Sequence, residues 1–375
     1  MDFFEDFGVI SRIVGEDDVS TASDEEVKHA AYADDLDGAG VLGCLRTWWN
    51  QVVHFGPLLG YYPKASKTWL VVKEDRVDAA RKIFADTDIN ITSEGRAYLG
   101  GFVGSKESRE NYVKELVKKW CKQLMKLPQI AQSEPQATYA AFVSGFQHKL
   151  TYYMHTLPNL GPLLQPFDEI LNHHFIPAIT EGHHCSQDER KLLSLPARFG
   201  GLAIPIFSQI AEREYEYSKK ASQQLTENIK SQTVEYSFDN TAHHSTKSDI
   251  KRSRNLEHEQ IHAGLQERIN QKRANEIAQM KRASNWLTSL PIREENYVLN
   301  KREFYDAIRM RYRWPLKFIP TTCACGKRFS VDHALSCLKG GFVHQRHDEI
   351  RDLCGQTATE ISNDVEIEPN LLPLT

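Results

Sequence analysis

The sequence predicts a mostly helical α+β protein, and three observations carry that prediction. Short β-rich segments lie in the first hundred or so residues, stretches with helical periodicity follow them, and a compact cysteine–histidine cluster lies near the C-terminus. The 375 residues suffice for two or three domains. Because 41% of them are hydrophobic and 26% are charged, a wholly disordered, collagenous or membrane-embedded chain is excluded.

Composition and periodicity divide the chain into five segments. They are an acidic irregular N-terminus at 1–29, a strand-containing region at 30–104, a helical region at 105–208, a basic helical connector at 209–320, and a cysteine-containing region at 321–375.

The net charge of −4 hides an asymmetry along the chain. Residues 1–37 hold 12 acidic and 2 basic residues, whereas residues 247–313 hold 9 acidic and 15 basic residues, a local net charge of +6. A basic segment away from an acidic pole suits the binding of a polyanion, and a solvated helix face is the plainer alternative.

The sequence also bears on the compartment. No segment reaches the roughly 18 consecutive apolar residues of a membrane helix, so no membrane partner is expected. The acidic residues 1–6 are not typical of a secretory signal. Seven cysteines at wide spacing then favour a reduced intracellular compartment, nuclear or cytoplasmic.

The strand-containing region alternates between helical and β-rich patterns. Residues 48–53 predict a core-facing helix that the glycine and proline of 60–63 break, and residues 67–72 predict a strand. Residues 98–104 show another short strand pattern, and their glycines suit either a tight hairpin or close backbone approach. Residues 1–31 show no sustained period, so irregular structure is expected there.

Helical periodicity begins at Ser105, an N-cap residue for the first long helix. Apolar residues at three- and four-residue steps predict its buried face. They are Tyr112, Val113, Leu116, Val117, Trp120, Leu124 and Met125. Further helices are predicted at 136–156, 209–231 and 255–288, and the polar composition of 238–253 predicts a mobile loop.

Two adjacent carboxylates, Asp34 and Asp35, follow Tyr32 and Ala33 at a position where a strand–turn–strand hairpin fits between apolar segments. Neighbouring carboxylates at a sharp turn can converge on one cation, which relieves their repulsion. Mg²⁺ prefers such oxygen ligands, and phosphoryl transfer commonly uses two metal ions held by aspartates. An ordinary turn or helix cap is the alternative for an Asp-Asp pair.

Residues 32–35 resemble the tyrosine-x-aspartate-aspartate motif of reverse transcriptases, and further pieces follow in that family's order. Residues 60–68 resemble its glycine-to-lysine segment beside the active site, and 98–104 resemble the hairpin that grips the primer end. Residues 195–202 resemble a block that follows the thumb in non-LTR retrotransposon polyproteins. The cysteine–histidine cluster is similar to that of elements carrying a restriction-like endonuclease. The resemblance therefore runs from about residue 30 to the end of the chain.

The resemblance implies a fold, a site and partners. It makes 30–104 a partial polymerase palm and 105–208 a thumb-like region. It implies that Asp34 and Asp35 bind Mg²⁺ and that Lys67 protonates the leaving pyrophosphate, although a solvated lysine is the plainer interpretation of Lys67. The implied partners are an RNA template, a DNA primer or target DNA, and deoxynucleotides.

The same family places a fingers subdomain and another catalytic aspartate upstream, and only 33 residues precede Asp34. We therefore expect a C-terminal fragment of a retrotransposon polyprotein that is poorly active or inactive as a polymerase alone. A non-catalytic, zinc-containing nucleic-acid-binding module is the alternative function. An element relic without a stable fold is a third possibility, since half a palm exposes strand edges.

Lys114, Lys118 and Lys122 fall at four-residue steps and form one basic stripe, which we call the lysine row. The row resembles a thumb helix that rests on duplex phosphates. Because Glu110 and Glu115 can pair with neighbouring lysines, a plain surface helix is the alternative.

Cys323, Cys325, His333 and Cys337 form a C-x-C-x7-H-x3-C pattern. Three thiolates and one imidazole are a common structural zinc set, and Gly326 fits the tight turn after the second ligand. The four-residue step from His333 to Cys337 predicts one helical face for both. Buried free cysteines are the alternative.

The remaining polar clusters receive weaker predictions. His344 and His347 are alternative zinc ligands, and residues 346–348 resemble an element seen after this knuckle in endonuclease-carrying relatives. Alternating carboxylates predict the opening strand of a truncated nuclease; they are Asp364, Glu366 and Glu368. The histidine pairs at 173–174 and 183–184, with Cys185, lack ligand spacing and are predicted to be ordinary surface histidines.

Overall fold

The computed structural model describes residues 8–10, 27–32, 35–232, 237–268, 271–281 and 285–367. The chain divides into two compact units, Met1–Arg311 and Tyr312–Thr375. About 63% of the described residues are helical and the sheets are small, which confirms the mostly helical α+β class.

The strands of the first unit precede its long helices. They are β1 (Gly8–Ile10), β2 (Lys28–Tyr32), β3 (Asp35–Ala39), β4 (Trp69–Val71), β5 (Asn90–Thr92), β6 (Gly95–Tyr98) and β7 (Gly101–Gly104). The first five form one mixed sheet in the order β2-β3-β1-β4-β5. In it β2 and β3 pair antiparallel, and the other neighbours pair parallel.

Two helices cover this sheet and supply the crossovers that parallel strands need. They are α1 (Leu42–Phe55) and α2 (Val77–Ile83). Leu45 and Trp49, one turn apart on α1, are buried against Leu70 of β4. The predicted core-facing helix and the predicted strand near 67–72 are thereby confirmed.

The prediction of irregular structure at 1–29 was wrong for part of that segment. Gly8–Ile10 form β1, which pairs with β3 on one side and β4 on the other, and β2 begins at Lys28. A three-residue strand has no readable period, and both its partners are distant in sequence, so only tertiary pairing defines it.

The predicted hairpin at 98–104 is confirmed in its turn and second strand. β6 and β7 pair antiparallel, and Tyr98 faces Gly101 across the turn. Gly100 has φ +75°, a left-handed conformation that glycine adopts without a steric penalty.

Twelve helices follow within the described part of the first unit. They are α3 (Lys106–Leu124), α4 (Leu127–Ala131), α5 (Pro135–Ala141), α6 (Gln147–Thr156), α7 (Gln165–Ile170), α8 (Ile176–Ile179), α9 (Gln187–Ser194), α10 (Phe207–Ala221), α11 (Gln223–Ser231), α12 (Asn240–Glu267), α13 (Gln271–Met280) and α14 (Lys301–Arg311).

α3 begins where the sequence predicts, because the Ser105 hydroxyl accepts a hydrogen bond from the Ser108 amide. Most of its predicted inner residues are buried, and Trp120 packs on Tyr153 of α6 with ring centroids 4.8 Å apart. Met125 was wrongly predicted to be buried. It lies just after the last turn of α3 and is 37% exposed.

The helix predicted at 136–156 is interrupted. A π-helical turn, Phe142–Phe146, separates α5 from α6, and a second π-helical turn, Leu171–Phe175, separates α7 from α8. The two turns meet in the core, where the rings of Phe142 and Phe175 lie 4.6 Å apart.

The mobile loop predicted at 238–253 is wrong, because most of it belongs to α12. Asp239 caps this helix, since its carboxylate accepts from the amides of Thr241 and Ala242 at 2.9 and 3.0 Å. The Arg254 guanidinium then ties α12 to the Glu214 carboxylate of α10. A helix of polar composition is thus held by a cap and by tertiary ion pairs.

The two other long helices predicted in the connector are broken. Residues 209–231 contain a break at Ser222 between α10 and α11. Residues 255–288 contain the end of α12, α13, and a 3-10 turn at Asn285–Thr288.

The second unit holds α15 (Val331–Ala334) and α16 (Phe342–Thr359). Asp364 and Glu366 were predicted to lie on a strand, but residues 362–367 form none, and Glu368 lies outside the described residues. Within the described helices of the whole chain, none has the length and apolarity needed to span a bilayer.

Candidate metal centre and nucleic-acid interface

A short loop, the short helix α15 and the segment that follows it carry the four predicted zinc ligands in the second unit. The Cys323 amide donates to the Lys327 carbonyl at 2.8 Å, and the Gly326 amide donates to the Cys323 carbonyl at 2.8 Å, which closes a tight turn around Cys325. Gly326 has φ +82°, so this turn needs the glycine that the sequence provides.

The ligand atoms of Cys323, Cys325, His333 and Cys337 all lie within 4.8 Å of one another. The sulfurs of Cys323 and Cys337 are 3.7 Å apart, and the Cys325 sulfur lies 3.1 Å from His333 Nε2. Tetrahedral zinc with bonds of about 2.3 Å to sulfur separates two thiolates by roughly 3.8 Å. The donor set and its spacing therefore fit a structural zinc ion.

One detail of the predicted zinc motif is wrong. His333 lies on α15, whereas Cys337 lies beyond the end of that helix, so the two ligands do not share a helical face. α15 has only four residues, and the chain after it turns back toward the cluster. The alternative ligands His344 and His347 are exposed on α16 and lie outside the cluster.

The predicted magnesium ligands lie at the β2–β3 hairpin. Tyr32 and Asp35 are backbone partners at its end, so Ala33 and Asp34 are the two residues that connect the strands. Asp34 lies outside the described residues, and Asp35 is described through its backbone. Convergence of the two carboxylates on one cation stays a prediction.

Lys67, just before β4, lies at the same end of the parallel strands as Asp35, the first residue of β3. Gly38 of β3 and Leu70 of β4 both pair with Val9 of β1, and Asp35 and Lys67 each precede those partners by three residues. Two inter-strand spacings, about 10 Å, separate the backbones of β3 and β4. The lysine itself is exposed at the end of a 3-10 turn.

The Tyr98 hydroxyl of the β6–β7 hairpin donates to the Asp37 carboxylate of β3. Asp37 follows Asp35 by two residues on the same strand, so the contact joins the β6–β7 hairpin to the strand that carries the predicted magnesium ligand.

The lysine row is exposed on α3 and borders a cleft of about 840 Å³. The opposite wall comes from α7 and the π-helical turn that follows it, and it includes Glu169, His173 and His174. We call this space the α3–α7 cleft. The sequence predicted His173 and His174 to be surface residues, which they are, but gave no sign that they line the same cleft as the lysine row.

His183, Cys185 and Glu189 bring one ligand atom each within 4.8 Å. However, the Glu189 carboxylate accepts from the Ser186 amide at 2.9 Å, in a capping box that begins α9. Burial raises the pKa of the Cys185 thiol to about 12, and the Glu189 carboxylate adds to this rise. The Glu189 carboxylate therefore serves as a helix cap, and the Cys185 thiol is protonated at neutral pH.

We expect the Cys185 thiol to react with iodoacetamide at least about a hundredfold more slowly than the exposed Cys354 near pH 8, because only the thiolate is nucleophilic. Mass spectrometry of the alkylated peptides over a time course measures both rates in one sample. Equal rates would show that Cys185 is ionised as readily as an exposed thiol.

Sequence reasoning missed Arg190, which is 6% exposed. Its guanidinium donates to the carbonyls of Ile204 and Pro205 at 2.8 Å each and to the Asn172 side chain. Burial lowers its pKa to about 10, which leaves it charged at neutral pH. These hydrogen bonds fix the backbone that follows residues 195–202. No local sequence pattern predicts that an arginine is buried for this purpose.

Comparisons of this chain with protein-family models, with curated proteins and with solved structures found no match.

Proposed function

We propose that this chain is a reverse-transcriptase-derived, polynucleotide-binding protein in which Asp34 and Asp35 hold Mg²⁺ beside a primer–template duplex. The observation that carries the proposal is the antiparallel β2–β3 pairing with Tyr32 opposite Asp35. This pairing brings together the two strands that flank Ala33 and Asp34, as a hairpin that carries the two aspartates would need.

Two further contacts support the same assignment. Asp35 and Lys67 lie at the same end of the parallel strands β3 and β4, as a metal ligand and a proton donor to pyrophosphate would need. The Tyr98 hydroxyl joins the β6–β7 hairpin to Asp37 on β3, as a hairpin that positions a primer end beside the ligands would need. When bound, Mg²⁺ would neutralise charge on the reacting phosphates and lower the pKa of a primer hydroxyl.

Cys323, Cys325, His333 and Cys337 would hold a structural zinc ion in this protein. With four side-chain ligands such an ion would have no open position for a substrate, so it would supply folding free energy rather than chemistry.

We expect Mg²⁺ to tighten binding of a recessed RNA–DNA hybrid by roughly tenfold, equivalent to about 1.4 kcal/mol, and Asp34→Asn/Asp35→Asn to abolish this gain. Fluorescence anisotropy with and without Mg²⁺ measures it. Chelators are left out, because they would also remove zinc. Asp75→Asn/Asp78→Asn is the matched control, since both carboxylates are exposed in the same region.

The alternative function, a non-catalytic zinc-containing nucleic-acid-binding module, is favoured by the four-ligand cluster together with the exposed lysine row. It predicts salt-dependent hybrid binding that neither Mg²⁺ nor the Asp34→Asn/Asp35→Asn change affects. The same titration therefore decides between the two functions.

A further inference from the structure

The α3–α7 cleft presents two kinds of surface side by side. Lys114, Lys118 and Lys122 repeat every four residues along α3, so their charges follow at steps of about 6 Å. Val117 on α3 and Met125 just after its last turn lie three residues after Lys114 and Lys122, next to the lysine row. A cationic row thus runs along an apolar floor.

The positive charges of the lysine row are only partly neutralised by neighbouring carboxylates. Lys118 contacts Glu115 at 3.3 Å, in a pair that is exposed and therefore weak. Among the described residues, Lys114 and Lys122 have no carboxylate within ion-pair distance. An anionic ligand in the cleft would therefore pair with the ammonium groups of Lys114 and Lys122.

The opposite wall is shaped by the π-helical turn Leu171–Phe175. Pro177 has no N–H to donate to the carbonyl of His173, which lies four residues earlier, and the wider turn accommodates this. Both His173 and His174, which belong to this turn, line the cleft. Two imidazole side chains therefore border the same cleft as the lysine row.

Glu169 also lines the cleft, and its carboxylate would repel a simple polyphosphate. A carboxylate instead suits a ligand that carries hydrogen-bond donors, such as the exocyclic amine of cytosine. The ligand must therefore combine anionic groups, a flat apolar body and an amine donor.

We propose that the α3–α7 cleft binds unpaired nucleotides of a single-stranded polynucleotide, with phosphates along the lysine row and bases on the apolar floor between the helices. The inference rests on the proposed function in that the chain binds polynucleotide. A duplex keeps its bases stacked inside and would leave the apolar floor unused, whereas a single strand uses both surfaces. A cleft of about 840 Å³ is large enough for more than one nucleotide.

The test uses the full chain and a short fluorescein-labelled oligo(dC) strand. Met125→Glu puts a negative charge on the floor at a position that is already 37% exposed, and we expect it to weaken oligo(dC) binding roughly tenfold. Binding of a blunt duplex should change by less than about twofold, since a duplex would use the lysine row alone. Met310→Glu, at a methionine that is 46% exposed on α14, is the matched control.

Replacing Lys114, Lys118 and Lys122 by alanine should weaken the dependence of oligo(dC) affinity on salt. For a single strand each lost phosphate contact reduces the slope of log K against log salt by about 0.7, so the triple variant should lose about 2. Alanine at Lys64, Lys73 and Lys82, which are also exposed, should leave the slope unchanged.

Photocrosslinking with a 5-iodocytosine strand gives a readout that does not depend on a variant folding. We expect crosslinked peptides from α3 and from 165–175, and crosslinks confined to other segments would overturn the inference. Unchanged oligo(dC) binding by the Met125→Glu variant would also overturn the inference. If polyglutamate displaced the labelled strand as effectively as unlabelled strand does, the ligand would be an acidic peptide instead. None of these negative results affects the Mg²⁺ test of the proposed function. Conversely, if only the Mg²⁺ test fails, the cleft remains assigned as a single-strand binding site.

Discussion

Removal of zinc is expected to unfold the second unit, Tyr312–Thr375, while the first unit stays folded. Structural zinc in a small Cys/His site contributes on the order of 10 kcal/mol at neutral pH, which exceeds the stability that so short a segment reaches by apolar burial. Elemental analysis should find one zinc per chain. Hydrogen exchange should lose protection within 312–367 when Cys337→Ser removes a ligand.

The apolar content of this unit explains why the effect should be large. Five of its hydrophobic side chains are buried among the described residues; they are Tyr312, Trp314, Cys323, Ala334 and Cys337. Two of these five are zinc ligands themselves. By contrast, Phe318, Leu338 and Ile361 are each at least 74% exposed. Without the metal little apolar surface is left to hold α15 and the turn at Gly326.

Cys354→Ser is the control for the zinc experiment, because Cys354 is exposed on α16 in the same unit and lies outside the cluster. It should retain full zinc content and full exchange protection. A Cys337→Ser protein that lost zinc but kept its protection would show that the unit folds without metal, and the cluster would then not be structural.

What the sequence predicted correctly is mostly local. The start of α3 follows from Ser105 and from apolar residues one turn apart, and the zinc set lies within fifteen residues, so short-range spacing sufficed for both. The β6–β7 turn likewise follows from Gly100. In each case the atoms that stabilise the feature belong to residues near in sequence.

What the sequence missed depends on contacts between distant residues. The strand β1 forms because β3 and β4 pair with it. The helix α12 is stabilised despite its polar composition because Arg254 forms an ion pair with Glu214, forty residues away. The α3–α7 cleft needs Lys114 of α3 and His173 of the π-helical turn after α7 to line one space. No periodicity within one segment contains that information.

Arg190→Ala should lower the free energy of unfolding of the first unit by about 3–5 kcal/mol, because it leaves buried acceptors without donors. The Ile204 and Pro205 carbonyls and the Asn172 side chain all lose the guanidinium. The neighbouring Asp168 carboxylate, whose pKa burial raises, also loses a nearby positive charge. Urea denaturation followed by far-UV circular dichroism measures the change.

Arg190→Lys separates charge from geometry at this site. Lysine keeps the positive charge, but its single ammonium cannot reach acceptors on both sides as the planar guanidinium does, so we expect an intermediate loss. Arg252→Ala is the surface control, because its ion pair with Asp249 is exposed and should be worth less than about 0.5 kcal/mol. If Arg190→Ala were as mild as Arg252→Ala, the backbone after residues 195–202 would not depend on the buried guanidinium. Its conformation would then have to come from the packing of Leu202 and Ile204 alone.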